Sequence, residues 1–266
     1  MYEAFFDMKR TPFTASIPSD GLYLFSAFEE TLSRLHCAAE NRLFATVTSD
    51  VGCGKTTVLR RFRDSLDASR FVFLYISDSC LRPRWLYNGL LEQLGVQTRF
   101  YRGDARRLPH QHLDLIRGVQ RKSVVTVIDE SHLPGRETLE ELRFLLNSDM
   151  DSRNPMALIL SGQNELWSKL GKQAYTAVRQ RIDLKCEIPQ PDRSQCAQYV
   201  DTHLSFAQGR KDIFSDAALD EIFKYSAGAP RAVNKVCFHA LLCASQRAKR
   251  IVDGHLVKLV INAGLT

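Results

Sequence analysis

Two short stretches of the sequence carry residue types and spacings suited to phosphate chemistry. The first is Ser49–Thr57, which reads Ser-Asp-Val-Gly-Cys-Gly-Lys-Thr-Thr and follows a short apolar run. It matches a glycine-rich phosphate-binding loop at Gly54, Lys55 and Thr56, but it has Ser49 where the first glycine is usual. In such a loop the backbone N–H groups face phosphate oxygens, the lysine reaches the β- and γ-phosphates, and the threonine hydroxyl ligates Mg²⁺. A serine at the first position is tolerable because that position needs a tight turn more than a missing side chain.

The second stretch is an apolar run that ends in two adjacent carboxylates. Val124–Ile128 has the length of a buried strand and is followed at once by Asp129 and Glu130. A parallel strand delivers its last residues to the sheet edge at which α/β proteins bind ligands. Asp129 is suited to hold Mg²⁺ opposite Thr56, and Glu130 to polarise an attacking water as a general base. Together the two stretches predict a Mg²⁺-dependent nucleoside triphosphatase, and the further loop residues expected at the nucleotide are Gly52, Cys53 and Thr57.

A polar side chain after another strand is suited to bridge the attacking water and the γ-phosphate. The run Ala157–Leu160 is followed by Ser-Gly-Gln-Asn, in which Gln163 is the first candidate and Asn164 the second, with a plain turn role as the alternative for both. Three more apolar runs have strand length, namely Leu43–Val47, Phe71–Ile76 and Leu184–Ile188. Their alternation with helical patterns predicts the α/β class, as a P-loop αβα sandwich on a five-stranded parallel sheet.

The pattern of the sequence changes after Pro189-Gln190-Pro191. Beyond this point only helical periodicity is present, and Ser215 and Asp253 have the character of helix N-caps. The sequence therefore predicts a nucleotide-binding core over residues 1–189 and a small all-helical lid domain over residues 190–266.

Two segments of the predicted core are less regular. An aromatic N-terminal arm contains Phe5, Phe6 and Phe13, which either pack in the core or lie against the nucleotide base. A basic, polar interval over Gln97–Gln111 precedes a helix expected from about His112 to Arg121.

The composition limits the classes of protein to consider. The chain has 266 residues, 44% of them hydrophobic, and no apolar run approaches the ~20 residues that span a bilayer. The acidic N-terminus lacks the basic and apolar regions of a signal peptide. Seven scattered cysteines without a Cys-x-x-Cys pair are typical of reduced thiols in a cytoplasmic protein rather than of a zinc site. The net charge of +6 favours a polyanionic partner such as nucleic acid.

Placed in order, these motifs resemble those of AAA+ ATPases, and more narrowly those of the ExeA (GspA-like) family. The resemblance covers essentially the whole chain and is carried by Asp50–Thr57, Ile128–Glu130, Ser161–Leu166, Arg179–Ile182 and Tyr225–Arg231. It implies ATP and Mg²⁺ as cofactors and homo-oligomers with each nucleotide at a subunit interface. It gives Arg181 the position of the arginine that completes the neighbour's site, with Arg179 as the alternative, and Arg231 that of a lid arginine on the phosphates. His132 departs from the family pattern after Asp-Glu.

The partner expected from this resemblance is DNA. Secretion-associated members of the family carry a transmembrane helix and a periplasmic region, neither of which occurs before the sequence ends at Thr266. Stand-alone members resemble accessory ATPases of transposable elements, relatives of the Mu B protein. That likeness implies a cytoplasmic ATPase that forms a ring or helical filament on double-stranded DNA, without reading its sequence, and recruits or regulates a transposase. The candidate contacts to the phosphate backbone, each with a solvated basic surface as the alternative, are Arg82, Arg84, Arg106 and Arg107.

Two rival functions remain open at this point. The first is an ATPase that assists protein secretion or envelope assembly without binding DNA. The second is a nucleotide-dependent switch of a defence system.

Overall fold

The computed structural model describes residues 2–14, 17–77, 82–96, 102–147 and 154–264, apart from the side chains of Asp20 and of residues 102–106. By its internal contacts the chain divides into two compact units. The first unit comprises Met1–Phe28, Asp50–Thr57 and Pro189–Thr266, and the second unit comprises Glu29–Ser49 and Val58–Ile188.

The second unit is built on a parallel sheet of five strands. They are β1 (Phe44–Ser49), β2 (Phe71–Ile76), β3 (Ser123–Ile128), β4 (Ala157–Gly162) and β5 (Leu184–Ile188), in the spatial order β2-β3-β4-β1-β5. Every neighbouring pair is parallel. The carboxyl ends of the strands therefore lie along one edge of the sheet. The predicted α/β class with a five-stranded parallel sheet is confirmed.

Helices precede or connect these strands. They are α2 (Ser26–Asn41), α3 (Lys55–Ser65), α4 (Pro83–Gln93), α5 (Arg102–Gly118), α6 (Arg136–Leu145), α7 (Glu165–Leu170) and α8 (Thr176–Arg179). Helices α2 and α3 begin in the first unit and continue in the second. Leucines of the connecting helices, such as Leu86, Leu113 and Leu139, are buried in one core with residues of β2, β3 and β4. Burial of each such side chain contributes roughly 1.5–3 kcal/mol, which is what holds the helices to the sheet.

Helix α5 is longer than the sequence predicts. It begins at Arg102, inside the interval that the sequence gives as polar and irregular, and it contains Pro109. The proline removes one backbone hydrogen bond, and the charged residues before it show no apolar stripe. Burial of Leu113 and Ile116 in the core outweighs that cost, so tertiary packing overrides local preference. The first residues of the predicted interval, 97–101, lie outside the described residues.

The first unit is helical. It contains α1 (Tyr2–Phe5), α9 (Arg193–Phe206), α10 (Asp216–Ser226), α11 (Pro230–Gln246) and α12 (Gly254–Asn262). Both predicted N-caps are confirmed, because the Ser215 side chain accepts a hydrogen bond from the N–H of Ala218 and the Asp253 side chain accepts one from the N–H of Leu256. These caps stop α10 and α12 from fraying at their first turns.

The aromatic arm packs within the first unit. Phe6 and Phe13 are buried in one hydrophobic cluster with residues of α9 to α12, and Phe5 packs against that cluster. The Phe13 ring stacks on the imidazole of His203 with centroids 5.1 Å apart, and the Phe13 N–H donates to His203 Nδ1 at 3.0 Å. Burial lowers the pKa of His203 to about 4, so its ring stays neutral and able to accept that bond. Of the two alternatives for these aromatics, core packing is the one observed.

Candidate active site

The phosphate-binding stretch begins where β1 ends. Ser49 is the last residue of that strand, is buried, and pairs with Ile188 of β5. It is absent from the described residues with positive φ, so its backbone suits any L-amino acid. From the sequence we expect the tight turn at Ser49, but in the structure the turn begins later, at Val51. A serine is therefore accommodated there because the position belongs to the strand.

The loop itself, in the first unit, has a strict requirement for glycine at Gly54. Its φ is +94°, a backbone conformation that L side chains rarely adopt. A Cβ atom at this position would also lie 2.7 Å from Cζ of Phe28, which is buried. Both the backbone conformation and the close approach of an aromatic ring therefore exclude a larger residue.

The residues after Gly54 form the start of α3. Lys55 is the first residue of the helix, and its Nζ donates to the backbone carbonyl of Asp50 at 3.2 Å. Thr56 is exposed and Thr57 is half-buried. The unsatisfied N–H groups of a helix start, the lysine ammonium and an exposed hydroxyl together fit the phosphates and the Mg²⁺ of a nucleotide. Cys53 is buried, and burial raises the pKa of its thiol, with the charge of Asp50 as a second cause.

The loop is held by residues far along the chain that belong to the same unit. The backbone N–H of Arg231, the second residue of α11, donates to the carbonyl of Gly52 at 3.3 Å. The Gln190 side chain donates to a carboxylate oxygen of Asp50 at 2.9 Å. Arg231 itself is exposed. The arginine predicted to contact the phosphates is therefore joined to the loop through its main chain.

In the second unit, Asp129 follows β3 and is held by donors on both flanking strands. Its Oδ1 accepts hydrogen bonds from Ser161 Oγ at 2.7 Å and from the backbone N–H of Glu130 at 2.9 Å. Its Oδ2 accepts one from the Tyr75 hydroxyl at 2.5 Å. Burial, followed by this hydrogen bond, raises the pKa of Tyr75, so its hydroxyl remains a donor. Asp129 is only 5% exposed, which makes a fixed, hard oxygen ligand suited to Mg²⁺.

Glu130 has an unusual backbone and a defined neighbour. Its φ is +52°, which costs a residue other than glycine about 1–3 kcal/mol. Its Oε2 lies 3.5 Å from Nδ1 of His132, and its side chain is 43% exposed. The backbone N–H of Gln163, which follows β4, donates to the same His132 nitrogen at 3.4 Å. His132 thus neighbours both predicted water-activating residues, Glu130 and Gln163.

A lysine fixes the segment that carries His132. Lys169 Nζ donates to the carbonyl of His132 at 2.9 Å and also to that of Pro134. Desolvation lowers the pKa of Lys169, with nearby Lys172 as a lesser cause. Asn164, the second candidate after β4, is the N-cap residue of α7.

The candidate trans-acting arginines lie in different surroundings. Arg179 is the last residue of α8 and is exposed. Arg181 is half-buried, and its Nη1 donates to the carbonyl of Arg143 at 3.4 Å.

The candidate DNA contacts are exposed where they are described. Arg82, Arg84 and Arg107 are exposed, and none takes part in an ion pair within the described part of the chain. The side chain of Arg106 lies outside the described residues. Trp85, in the first turn of α4 beside Arg84, is 56% exposed, and sequence reasoning missed it.

The candidate site residues that the sequence did not reveal are Tyr75, Ser161 and Trp85. The first two share one signal in the sequence, because each is a polar residue at the carboxyl end of an apolar strand, as Asp129 and Gln163 are. Trp85 is recognisable as an aromatic residue directly after Arg-Pro-Arg.

Comparisons with known proteins agree with this architecture. A family model described as AAA domain matches residues 38–170. The chain is 30% identical over 264 residues to General secretion pathway protein A of Aeromonas hydrophila, a match that covers 96% of this chain and 47% of that protein. The chain therefore spans about half the length of this curated relative. None of the helices in the described residues is both long enough and apolar enough to cross a membrane.

Solved structures share the fold at low sequence identity. The Aeropyrum pernix ORC2 protein, in its ADPNP–ADP complexes, gives a TM-score of 0.71 at 14% identity, covering 94% of this chain and 70% of that one. Drosophila ORC bound to DNA gives a TM-score of 0.66 at 16% identity, and the match covers 98% of this chain and 64% of that one. The Thermotoga maritima RuvB Holliday junction branch migration motor gives a TM-score of 0.61 at 16% identity, and the match covers 89% of this chain and 68% of that one.

Proposed function

The chain belongs to the AAA family of ATPases and uses ATP with Mg²⁺, and from this premise we propose that it is an ATP-dependent DNA-binding regulator of transposition. It assembles with further copies of itself on double-stranded DNA, as a ring or helical filament in the cytoplasm, and it recruits or regulates a transposase. Residues 1–189 form its nucleotide-binding core and residues 190–266 its lid. The transposase part rests on the resemblance to accessory ATPases of transposable elements, and the DNA part also rests on exposed residues at the start of α4.

Each site residue has a role in this proposal. The loop N–H groups and Lys55 bind the β- and γ-phosphates, and Thr56 and Asp129 hold the Mg²⁺, which draws negative charge from the phosphate oxygens when bound. Glu130 accepts a proton from the attacking water, and Gln163 orients that water. The half-exposed carboxylate of Glu130 supports its role, because a base must reach a water that enters with the substrate.

The observation that carries the DNA part is the exposed group Arg82, Arg84 and Trp85. Arginines that form no ion pair with the described residues can contact phosphates, and an exposed tryptophan offers an apolar face to the sugars or bases. Because α4 follows β2, this group lies on the connection that leaves the carboxyl edge of the second unit's sheet. A merely solvated basic surface would not need the tryptophan.

Binding to a fluorescent duplex of arbitrary sequence tests this function. We expect binding in the presence of a non-hydrolysable ATP analogue and Mg²⁺, much weaker binding without nucleotide, and a steep loss of affinity as salt rises. Absence of binding at about 50 mM salt would remove both DNA and transposase from the proposal.

The Arg82→Ala/Arg84→Ala double variant is expected to weaken ATP-dependent DNA binding. Each lost phosphate contact reduces the slope of log affinity against log salt by about 1, so a reduction of about 2 is expected. The Arg70→Ala/Arg117→Ala double variant is the control, because it removes the same charge from the ion-paired arginines that precede β2 and β3. Trp85→Ala is expected to lower the affinity while keeping the salt slope. Equal losses in both double variants would show that only net charge matters.

Arg181→Ala is expected to keep nucleotide binding and to lower hydrolysis in the assembled oligomer about 10²–10³-fold, because a guanidinium no longer reaches the neighbour's phosphates. Mixing it with Glu130→Gln subunits should restore part of the activity, since some interfaces then combine an intact arginine with an intact glutamate. ATP turnover by the mixture checks this. The same loss and rescue with Arg179→Ala, and none with Arg181→Ala, would transfer the role to Arg179.

A second candidate function is an ATPase that assists protein secretion or envelope assembly. The 30% identity to General secretion pathway protein A is the observation that favours it. This candidate expects ATP binding and hydrolysis without affinity for DNA, so the duplex experiment separates the two.

A further inference from the structure

Within the described part of the chain, the Asp129 carboxylate keeps one acceptor position for another ligand. A carboxylate oxygen accepts about two hydrogen bonds, and Oδ1 already accepts two, from Ser161 and from the N–H of Glu130. Oδ2 accepts one from the Tyr75 hydroxyl among the described residues. Counting only bonds from the described residues, the remaining lone pair of the buried Asp129 is on Oδ2, the oxygen that Tyr75 contacts.

Tyr75 is itself fixed by a side chain at the sheet border. It lies in β2, the outermost strand next to β3, in register with Val127. Its backbone N–H donates to Gln93 Oε1 at 2.7 Å, and its carbonyl accepts from Gln93 Nε2 at 2.5 Å. Gln93 is the last residue of α4. Both main-chain groups of Tyr75 are thus held by one amide, which sets where its hydroxyl can point.

From this geometry we infer that Tyr75 is a positioning residue of the magnesium site. Its hydroxyl and that of Ser161 hold Asp129 from the strands on either side of β3, and they would thereby fix the orientation of the carboxylate that holds Mg²⁺. Partners that orient a ligating carboxylate commonly contribute 10–100-fold, by order of magnitude, to metal affinity. This inference rests on the proposed role of Asp129, and it adds a residue that touches neither nucleotide nor metal.

The Tyr75→Phe variant tests the inference through metal dependence. Binding of a fluorescent, non-hydrolysable ATP analogue is followed by anisotropy as Mg²⁺ is raised, and once more in excess EDTA. We expect the Mg²⁺ concentration at half-saturation to rise about tenfold in the variant. Affinity in EDTA should be unchanged, because the phosphate-binding loop is intact. A change of less than about twofold in the Mg²⁺ half-saturation would overturn the inference, since it lies far below the expected range.

Tyr87→Phe is the matched control. Its hydroxyl donates to Glu141 Oε2 at 2.7 Å, so the variant also removes a tyrosine–carboxylate hydrogen bond in the second unit. We expect it to leave the Mg²⁺ half-saturation unchanged, and an equal rise in both variants would show a general loss of packing and overturn the inference. The Asp129→Asn variant tests the role on which this inference rests, which is that Asp129 holds Mg²⁺. If it keeps the wild-type Mg²⁺ dependence, the proposed magnesium ligand is wrong and the positioning role is overturned with it.

Discussion

Glu130→Gln is expected to lower the turnover of ATP about 10²–10⁴-fold while nucleotide affinity stays within about twofold of the original. The amide has nearly the shape of the carboxylate and can keep its place near His132, 3.5 Å away, but it cannot accept a proton from water. Because hydrolysis would release the ATP-bound state, complexes of the variant with ATP and DNA should also persist longer. Phosphate release measures the turnover, and dissociation of a labelled duplex measures the persistence.

Glu165→Gln is the control for this prediction. It makes the same change at an exposed position in the first turn of α7, on the connection that follows β4. Its turnover should match that of the unchanged protein. If Glu130→Gln also kept a turnover within about threefold, the effect would be far smaller than loss of a general base produces, and another group would have to activate the water.

Gly228→Ala is expected to destabilise the first unit by about 4 kcal/mol or more, which only severe defects do. Gly228 has a φ of +82°, and a Cβ atom there would lie 2.1 Å from the carbonyl oxygen of Pro191. The neighbour is backbone, so the strain cannot be relieved by turning a side chain. Because α11 begins two residues later and its Arg231 N–H bonds to the phosphate-binding loop, nucleotide affinity should fall as well.

Gly95→Ala separates the effect of the positive φ from the effect of the close contact with Pro191. Gly95 follows α4 with a φ of +73°, and no described residue has an atom within 4 Å of where its Cβ atom would lie. The Gly95→Ala variant should therefore lose only the free energy of unfolding that comes from the strained backbone, about 1 kcal/mol. Urea unfolding of both variants gives the comparison. Equal losses would mean that the contact with Pro191 relaxes at little cost.

The parts of the fold that were predictable are those with a local cause. Strands β2 and β5 occupy their predicted residues, because short apolar runs mark them without reference to the rest of the chain. The caps at Ser215 and Asp253 were predictable for the same reason. Helix α5 was placed too late because its start depends on burial against β3, and Pro109 argues locally against it.

The residue types of the candidate site were predictable, but the hydrogen-bond partners of those residues were not. Tyr75, Asp129 and Ser161 are far apart in the sequence, and they meet because β3 lies between β2 and β4. Strand order is a tertiary property that apolar runs do not encode. The contacts of the phosphate-binding loop with Gln190 and Arg231 depend in the same way on packing within the first unit.

The amide of Gln93 has a consequence beyond the proposed magnesium site. A border strand with free N–H and carbonyl groups is a template for strands of other molecules, and such pairing leads to aggregation. At β2 the Gln93 side chain occupies both groups of Tyr75 as a neighbouring strand would. At the other border, β5 carries the exposed and ion-paired Lys185 and Glu187, and charged side chains of this kind discourage strand addition. Each border of the sheet thus carries a feature that disfavours fibril-like growth, and we expect copies of this chain to associate through other surfaces.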